Sequence, residues 1–173
     1  MGNMILKHMD VVRGITISIL EKTTEEAADI TPKGFNNNIR WNLGHIAFIQ
    51  EKLVFGLAGE PMQTPESYES FFGAGTKPAD WTETAPSLEE IAKVLKDQAH
   101  RIKEFMPQQF DKQLITPFTN KAGINFTTVG ETFLFSFYHE AMHVERLSKL
   151  GKLQLHNKKI KKNKSHILYN YFT

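Results

Sequence analysis

The chain has 173 residues, no cysteine and a formal net charge of +2. This length suits one domain with its own hydrophobic core, and the lack of cysteine excludes disulfides and thiolate metal ligands. No apolar run approaches the roughly 20 residues of a membrane helix, and the N-terminus does not have the build of a secretion signal. The sequence therefore predicts a cytoplasmic protein without a membrane partner, in which any metal site uses nitrogen and oxygen ligands.

The positive charge is concentrated near the C-terminus. Five lysines lie in residues 158–173, which contain no acidic residue, and residues 1–157 keep 16 basic against 19 acidic residues. That body lacks the basic surface expected of a nucleic-acid-binding protein. An isolated run of like charges is usually solvated. We therefore expect one domain over residues 1–157, a basic, disordered tail over residues 158–173, and no nucleic-acid partner.

The first half of the chain contains two predicted helices. Apolar residues that recur every three or four positions indicate an apolar stripe on helix one: Ile5, Met9, Val12, Ile15 and Ile19. Asn36, Asn37 and Asn38 then offer N-cap side chains for helix two, which ends at Gly59 and Pro61. The stripe of helix two has the same spacing: Ile39, Leu43, Ile46, Leu53 and Leu57. Both segments predict amphipathic helices.

The second half contains two more predicted helices. Ser87 with Glu90, and Thr128 with Glu131, have the spacing of a capping box, which marks a helix N-terminus. Helix three follows the first box with the stripe Leu88, Ile91, Leu95, Ile102 and Phe105. Helix four follows the second box with the stripe Phe133, Phe137, Ala141, Val144 and Leu147. We expect it to end at a Gly151 C-cap.

These four helices predict an all-α fold, an antiparallel four-helix bundle with a long connection between helices two and three. The connection, residues 59–86, carries Tyr68, Phe71, Phe72 and Trp81, so we expect it to pack over one end of the bundle. Residues 113–118 and 124–129 could form short extended pieces.

Two histidines on helix four have the spacing of metal ligands. His139 and His143 are four residues apart, so their Cβ atoms lie about 5 to 6 Å apart on one helix face. A metal held by imidazole nitrogens needs at least one further ligand from another helix or a loop. His45, in the middle of helix two, is the strongest candidate for that ligand. The alternative for each histidine is a hydrogen-bonded or surface role without a metal.

The same pair also fits the zinc metallopeptidase motif His-Glu-x-x-His. Under this interpretation Glu140, which lies between the two histidines, is the general base of a peptidase. The extended form of the motif fails, because Arg146 and Lys149 stand where it requires glycine and histidine. The peptidase therefore stays open as the less favoured alternative.

The segment Asn-Ile-Arg-Trp-Asn-Leu-Gly-His-Ile-Ala over residues 38–47 resembles the DinB-like superfamily. Thr-Thr-Glu-Glu at 23–26 and Thr-Pro at 31–32 precede it, and the resemblance extends over about residues 5–155. It implies one divalent ion, zinc or nickel, bound inside a four-helix bundle. Its ligands would be His45, His139 and His143.

The resemblance also implies a class of reaction. Better-understood members of this superfamily look like transferases and isomerases that use bacillithiol or mycothiol, and some resemble metal-dependent hydrolases. We therefore expect a transferase or hydrolase for a small molecule, with a low-molecular-weight thiol as the candidate cosubstrate and a homodimer as the candidate assembly. The sequence departs from a common family ending, because Val144, Glu145 and Arg146 follow the last histidine where Gly-Gln is common.

Two further residues are candidates for the reaction itself. Glu140 would assist as a base, unless it is a surface carboxylate, and Arg146 would hold an anionic group of the cosubstrate, unless it forms an ordinary salt bridge. The contrasting class is a non-catalytic bundle stabilised by its metal, or an association module. Since imidazole must be neutral to bind a metal, the ordinary histidine pKa predicts that affinity falls below about pH 6.

Overall fold

The structure, a computed structural model, describes the backbone of residues 2–171 and the side chains of residues 2–154. Most of this part is helical, as the all-α prediction requires. Its helices are α1 Gly2–Glu21, α2 Glu25–Ala28, α3 Ile39–Val54, α4 Ser67–Phe72, α5 Leu88–Phe105 and α6 Val129–Tyr171. Between α5 and α6, β1 Gln113–Thr119 pairs antiparallel with β2 Asn125–Thr128, where the sequence allowed extended pieces. Within the described residues, no helix is both long enough and apolar enough to span a membrane.

The predicted helix starts are confirmed by their caps. The side chain of Asn38 accepts a hydrogen bond of 2.8 Å from a backbone N–H in the first turn of α3. Ser87 and Glu90 form the reciprocal capping box at the start of α5. Before α6, the Glu131 carboxylate accepts from the Thr128 N–H at 2.9 Å, and the Thr128 hydroxyl accepts from the Glu131 N–H at 3.3 Å. These caps satisfy backbone donors that the first turn of a helix leaves unpaired.

The predicted end of helix four is wrong. The helix α6 continues through Gly151 to Tyr171, and Gly151 is not among the glycines with positive φ. A glycine C-cap takes the left-handed conformation, so Gly151 is an interior helical residue. The basic tail predicted over residues 158–173 lies outside the residues whose side chains are described, and it stays a prediction.

The buried face of α1 matches the predicted stripe only in part, since Met9 is buried and Ile5 and Ile19 pack against the core clusters. Ile15 is 49% exposed, whereas Arg13 and Thr16 are buried together with Met9 and Leu20. The buried positions still follow the helical spacing of three and four residues. Two of them are polar because their partners lie on other helices, which the local apolar pattern could not reveal.

The core consists of two apolar clusters separated by a polar layer. One cluster joins the first half of α3 with α4 and the start of α5, and the other lies beneath the β1–β2 hairpin. Buried polar side chains occupy the positions between the two clusters on all four long helices: Arg13, Thr16, Gln50, Glu51, Gln98, Ser136 and Glu140. The layer therefore crosses the middle of the core.

The long connection packs on α3, with its aromatic residues in the core as predicted. The helix α4 contacts α3, and Tyr68, Phe71 and Phe72 belong to the first cluster, with Trp81 packed against it. A Cβ atom on Gly44 of α3 would lie 2.5 Å from the ring of Phe72. The glycine therefore lets this ring rest directly on the helix backbone.

We expect Gly44→Ala to destabilise the protein by about 1 to 3 kcal/mol, because the new methyl group must displace the Phe72 ring from a packed core. The free energy of unfolding would be measured in urea. Gly14→Ala on α1 is the control, since no atom lies within 4 Å of the added Cβ there. That change should stabilise by up to about 1 kcal/mol through helix propensity alone. Equal stabilisation of both variants would contradict the close packing at Gly44.

Candidate metal centre

Three histidines converge between α3 and α6. His45 lies in the middle of α3, and His139 and His143 lie one turn apart on α6. Each offers one ring nitrogen, and these three atoms all lie within 4.8 Å of one another. Nε2 of His139 is 3.2 Å from Nε2 of His45, close to the spacing of about 3.3 Å between two nitrogens that share a tetrahedral ion. Among the described residues this is the one such group of three or more potential ligands.

Two of the rings are oriented by hydrogen bonds at Nδ1. Nδ1 of His45 lies 2.6 Å from the carbonyl oxygen of Phe72, and Nδ1 of His143 lies 2.8 Å from Oδ1 of Asn42. The Asn42 amide is itself oriented, because its Nδ2 donates to the Asn38 carbonyl at 2.7 Å. Since both oxygens accept, each Nδ1 donates and each Nε2 keeps its lone pair. Metal-binding histidines show this pattern of support.

An indole ring closes one side of the group. Trp41 stacks on His45 with ring centroids 4.3 Å apart and 16° between the planes, and it reaches His143 at 6.1 Å. His45 and His143 are buried, whereas His139 is half-buried. The group thus has an apolar neighbour on the Trp41 side, and His139 is its most exposed member.

The surroundings keep all three imidazoles neutral. Burial is the main cause that lowers the pKa of His45 to about 4, of His139 to about 3 and of His143 to about 2. The positive charge of Arg146 lowers each pKa further. A neutral imidazole is the form that binds a metal.

The three residues fit a divalent metal ion. Imidazole nitrogens suit zinc and nickel among the common ions. The group holds three potential protein ligands within the described part of the chain, and three protein ligands leave one position of a tetrahedral ion for water or substrate. Zinc sites that stabilise a fold without catalysis are usually closed by a fourth protein ligand.

Glu140 does not join this group, although it was a candidate base. The residue is 2% exposed, so it is not a surface carboxylate. Its carboxylate accepts from Nε and Nη2 of Arg13 at 3.0 and 3.2 Å, and from the Thr16 hydroxyl at 2.6 Å. Both carboxylate oxygens therefore hold partners on α1, and the role of Glu140 as a base stays a prediction.

The carboxylate belongs to the polar layer of the core. The guanidinium of Arg13 also donates to the Leu95 carbonyl at 2.7 Å and to the side chains of Gln50 and Gln98. Sequence reasoning missed Arg13. The signal available was its position, since residues 9, 13, 16 and 20 have helical spacing and a charged residue among them requires a buried partner.

Arg146 lies beside the histidines at the wall of a cavity. The cavity has a volume of about 250 Å³ and is lined by residues 34–37 together with Asn42, Arg146 and Leu150. Asn42 therefore contacts both the cavity and His143. The salt bridge that was the alternative for Arg146 does not occur among the described residues.

The comparisons with known proteins identify a family and a similar fold. The family model of the DinB superfamily matches residues 8–147. The crystal structure of a conserved protein of a locus from Enterococcus faecalis has a TM-score of 0.58 and 15% sequence identity. The match covers 86% of this chain and 93% of that chain, and at this identity it shows the fold alone. No curated protein matches the sequence.

The lowered pKa values predict a metal affinity that tolerates mild acid. Three histidines with an ordinary pKa of about 6.5 would lose several hundredfold in affinity between about pH 7 and about pH 5.5. With pKa values of about 4, 3 and 2, protons compete only at lower pH, so we expect a loss of less than about twofold. Zinc affinity would be measured at both pH values against a competing chelator. A loss of a hundredfold would show that the rings titrate as exposed histidines.

The same shifts predict the sign of the acid effect on folding. Because the unfolded chain binds protons more readily than the folded one, the free energy of unfolding falls as the pH drops below about 6.5. The fall continues through the folded-state pKa values of about 4, 3 and 2.

Glu140→Gln should lower the free energy of unfolding by about 3 to 5 kcal/mol, because Arg13 would stay buried without its carboxylate. Urea unfolding of the metal-free protein at neutral pH would measure this. The control is Glu145→Gln on the exposed face of α6, where the pair with Lys149 spans 2.7 Å and a change within about 0.5 kcal/mol is expected. If Glu140→Gln were as stable as the control, the carboxylate would be free for a role as a base.

Proposed function

The chain belongs to the DinB superfamily, and we propose that it is a metal-dependent enzyme acting on a small molecule. His45, His139 and His143 hold one divalent ion, zinc or nickel. The observation that carries this proposal is the orientation of the rings: the Nδ1 atoms of His45 and His143 donate to fixed oxygens, which leaves each Nε2 lone pair free for a metal. The three histidines each offer a ring nitrogen within 4.8 Å of the others. Histidines that are buried together by chance would not need the proton on the same ring nitrogen, as His45 and His143 have it.

The proposed architecture is the four-helix bundle of the family, built from α1, α3, α5 and α6. The order of the two core clusters along each helix supports it. The cluster beneath the hairpin comes first on α1 and α6 and last on α3 and α5, so α3 and α5 run opposite to α1 and α6. Two consecutive long helices that run in the same direction need a long connection, which residues 59–86 provide.

The reaction class follows from an open coordination position. When bound, an ion of this kind lowers the pKa of a coordinated water or thiol, which supplies a nucleophile near neutral pH. The chain's own contribution is to keep the ligand rings neutral, to fix their tautomers and to exclude water on the Trp41 side. We propose a transferase that uses a low-molecular-weight thiol, or a hydrolase. A thiol cosubstrate is suited to the reducing cytoplasm, which is the proposed location.

Glu140 has no part in this proposal, because its oxygens are held by Arg13 and Thr16. The peptidase alternative needs that carboxylate as a base and is not proposed. The alternative that the site supports is a metal staple, since the same three histidines connect α3 with α6 in the core.

The test is to measure bound metal per chain in His45→Ala and His139→Ala. Two ligands on one helix, or one on each helix, hold an ion far more weakly than three converging ligands, so both variants should lose most of the metal. His100→Ala is the control, because His100 is an exposed residue of α5. Circular dichroism would establish that the variants fold. Metal retained by His45→Ala but lost from His139→Ala would contradict the three-histidine site.

The catalytic part of the proposal has its own measurement. Metal-loaded protein would be assayed for product formation with a small electrophile and cysteine as the thiol, and for hydrolysis of a small amide or ester. The metal-depleted His45→Ala variant gives the background rate. Metal binding that raises the melting temperature without turnover in either assay would instead support the staple.

A further inference from the structure

The cavity beside the histidines has no role in metal binding itself. Its wall combines a loop, residues 34–37, with Asn42 of α3 and with Arg146 and Leu150 of α6. Its volume of about 250 Å³ is below the range of about 300 to 1,000 Å³ that is usual for drug-sized ligands. The cavity therefore suits a metabolite-sized molecule.

One cation of the wall has no counter-ion among the side chains that the structure describes. Arg146 is exposed and forms no ion pair with a carboxylate among residues whose side chains are described. On the same helix Lys149 does form an ion pair, with Glu145 at 2.7 Å. A planar guanidinium binds a carboxylate through two parallel hydrogen bonds, and a single guanidinium balances one negative charge. A carboxylate therefore fits this wall better than a phosphate dianion.

A second residue of the wall, Asn37, has one side-chain atom without a hydrogen-bond partner in the described part of the chain. Oδ1 of Asn37 is buried and accepts no hydrogen bond from the described residues. A buried acceptor without a hydrogen bond lowers the stability of a protein by about 1 to 3 kcal/mol. A ligand with an N–H or O–H group in the cavity would supply the missing donor once the amide turns towards it.

The cavity also adjoins the metal ligands. Asn42 lines the cavity and holds Nδ1 of His143 at 2.8 Å, and the charge of Arg146 acts on all three histidines. A molecule bound at Arg146 would therefore be separated from His143 by the Asn42 side chain.

We infer that this cavity is the recognition site for the reactant, and that the reactant is a small carboxylate with a neighbouring N–H or O–H donor. The inference rests on the proposed function, because it takes the three histidines as the place where the reactant is converted. The carboxylate binds Arg146, the donor binds Oδ1 of Asn37, and the remaining part of the molecule extends towards the histidines. Phe35 and Leu150 provide the apolar part of the wall.

The test uses three matched probes with the zinc-loaded and the metal-free protein. N-acetylglycine has both a carboxylate and an amide N–H, its methyl ester lacks the charge, and N-acetylsarcosine lacks the N–H. Binding would be followed by NMR chemical-shift changes. We expect N-acetylglycine to bind at least about tenfold more tightly than its ester, as for a charge-assisted hydrogen bond. We expect a smaller preference, about threefold to tenfold, over N-acetylsarcosine.

A pair of variants then assigns the preference to Arg146. Arg146→Gln should remove the advantage of N-acetylglycine over the ester, whereas Lys152→Gln removes an equal charge from an exposed position of the same helix and should leave it unchanged. Equal binding of all probes, or an equal loss in both variants, would overturn the inference.

The outcome is separable from the proposed function, because zinc content is measured on the same samples. Zinc bound without any preference among the probes refutes the cavity inference and leaves the metal site. Probe binding that depends on Arg146 in a protein that never binds zinc supports recognition of the carboxylate and refutes the metal enzyme.

Discussion

The hydrogen bonds at Nδ1 of His45 and His143 are the interactions on which the candidate site depends. A buried imidazole exposes a lone pair at a chosen nitrogen only if an oxygen holds the proton on the other. One oxygen is the Phe72 carbonyl in the long connection, and the other is the Asn42 side chain on α3. The aromatic connection thus acts on the chemistry of the site as well as on packing. Gly44 is part of this arrangement, because it lets the Phe72 ring approach α3.

The polar layer of the core stabilises the position of the helix that carries two of the ligands. Glu140 lies next to His139 in sequence and binds Arg13 and Thr16 of α1. A buried ion pair of this kind contributes little net stability compared with apolar residues, but removal of one partner is costly. Its effect here is to fix which residues of α6 face α1. With Glu140 facing α1, His139 and His143 lie on the adjacent face of α6, which is turned towards α3.

The two sides of the site differ in a way that bears on function. Trp41 stacks on His45 and closes one side, so the imidazoles stay neutral by desolvation. His139 is only half-buried, and exposed Arg146 and the cavity of about 250 Å³ lie near the group. A structural metal needs no such access, because a closed shell of ligands serves it better. The accessible side is the property that favours catalysis over a metal staple.

Local features of the sequence determined the helix starts, the all-α class and the pair His139 and His143. These features depend on contacts within about four residues of the chain, which a sequence displays directly. Only the tertiary structure decided that Arg13 is buried, because its partner Glu140 is 127 residues away. It also decided the tautomer of His143, which Asn42 sets across 101 residues. The physical reason is that burial and protonation depend on the groups that packing brings near, and periodicity along one helix does not identify those groups.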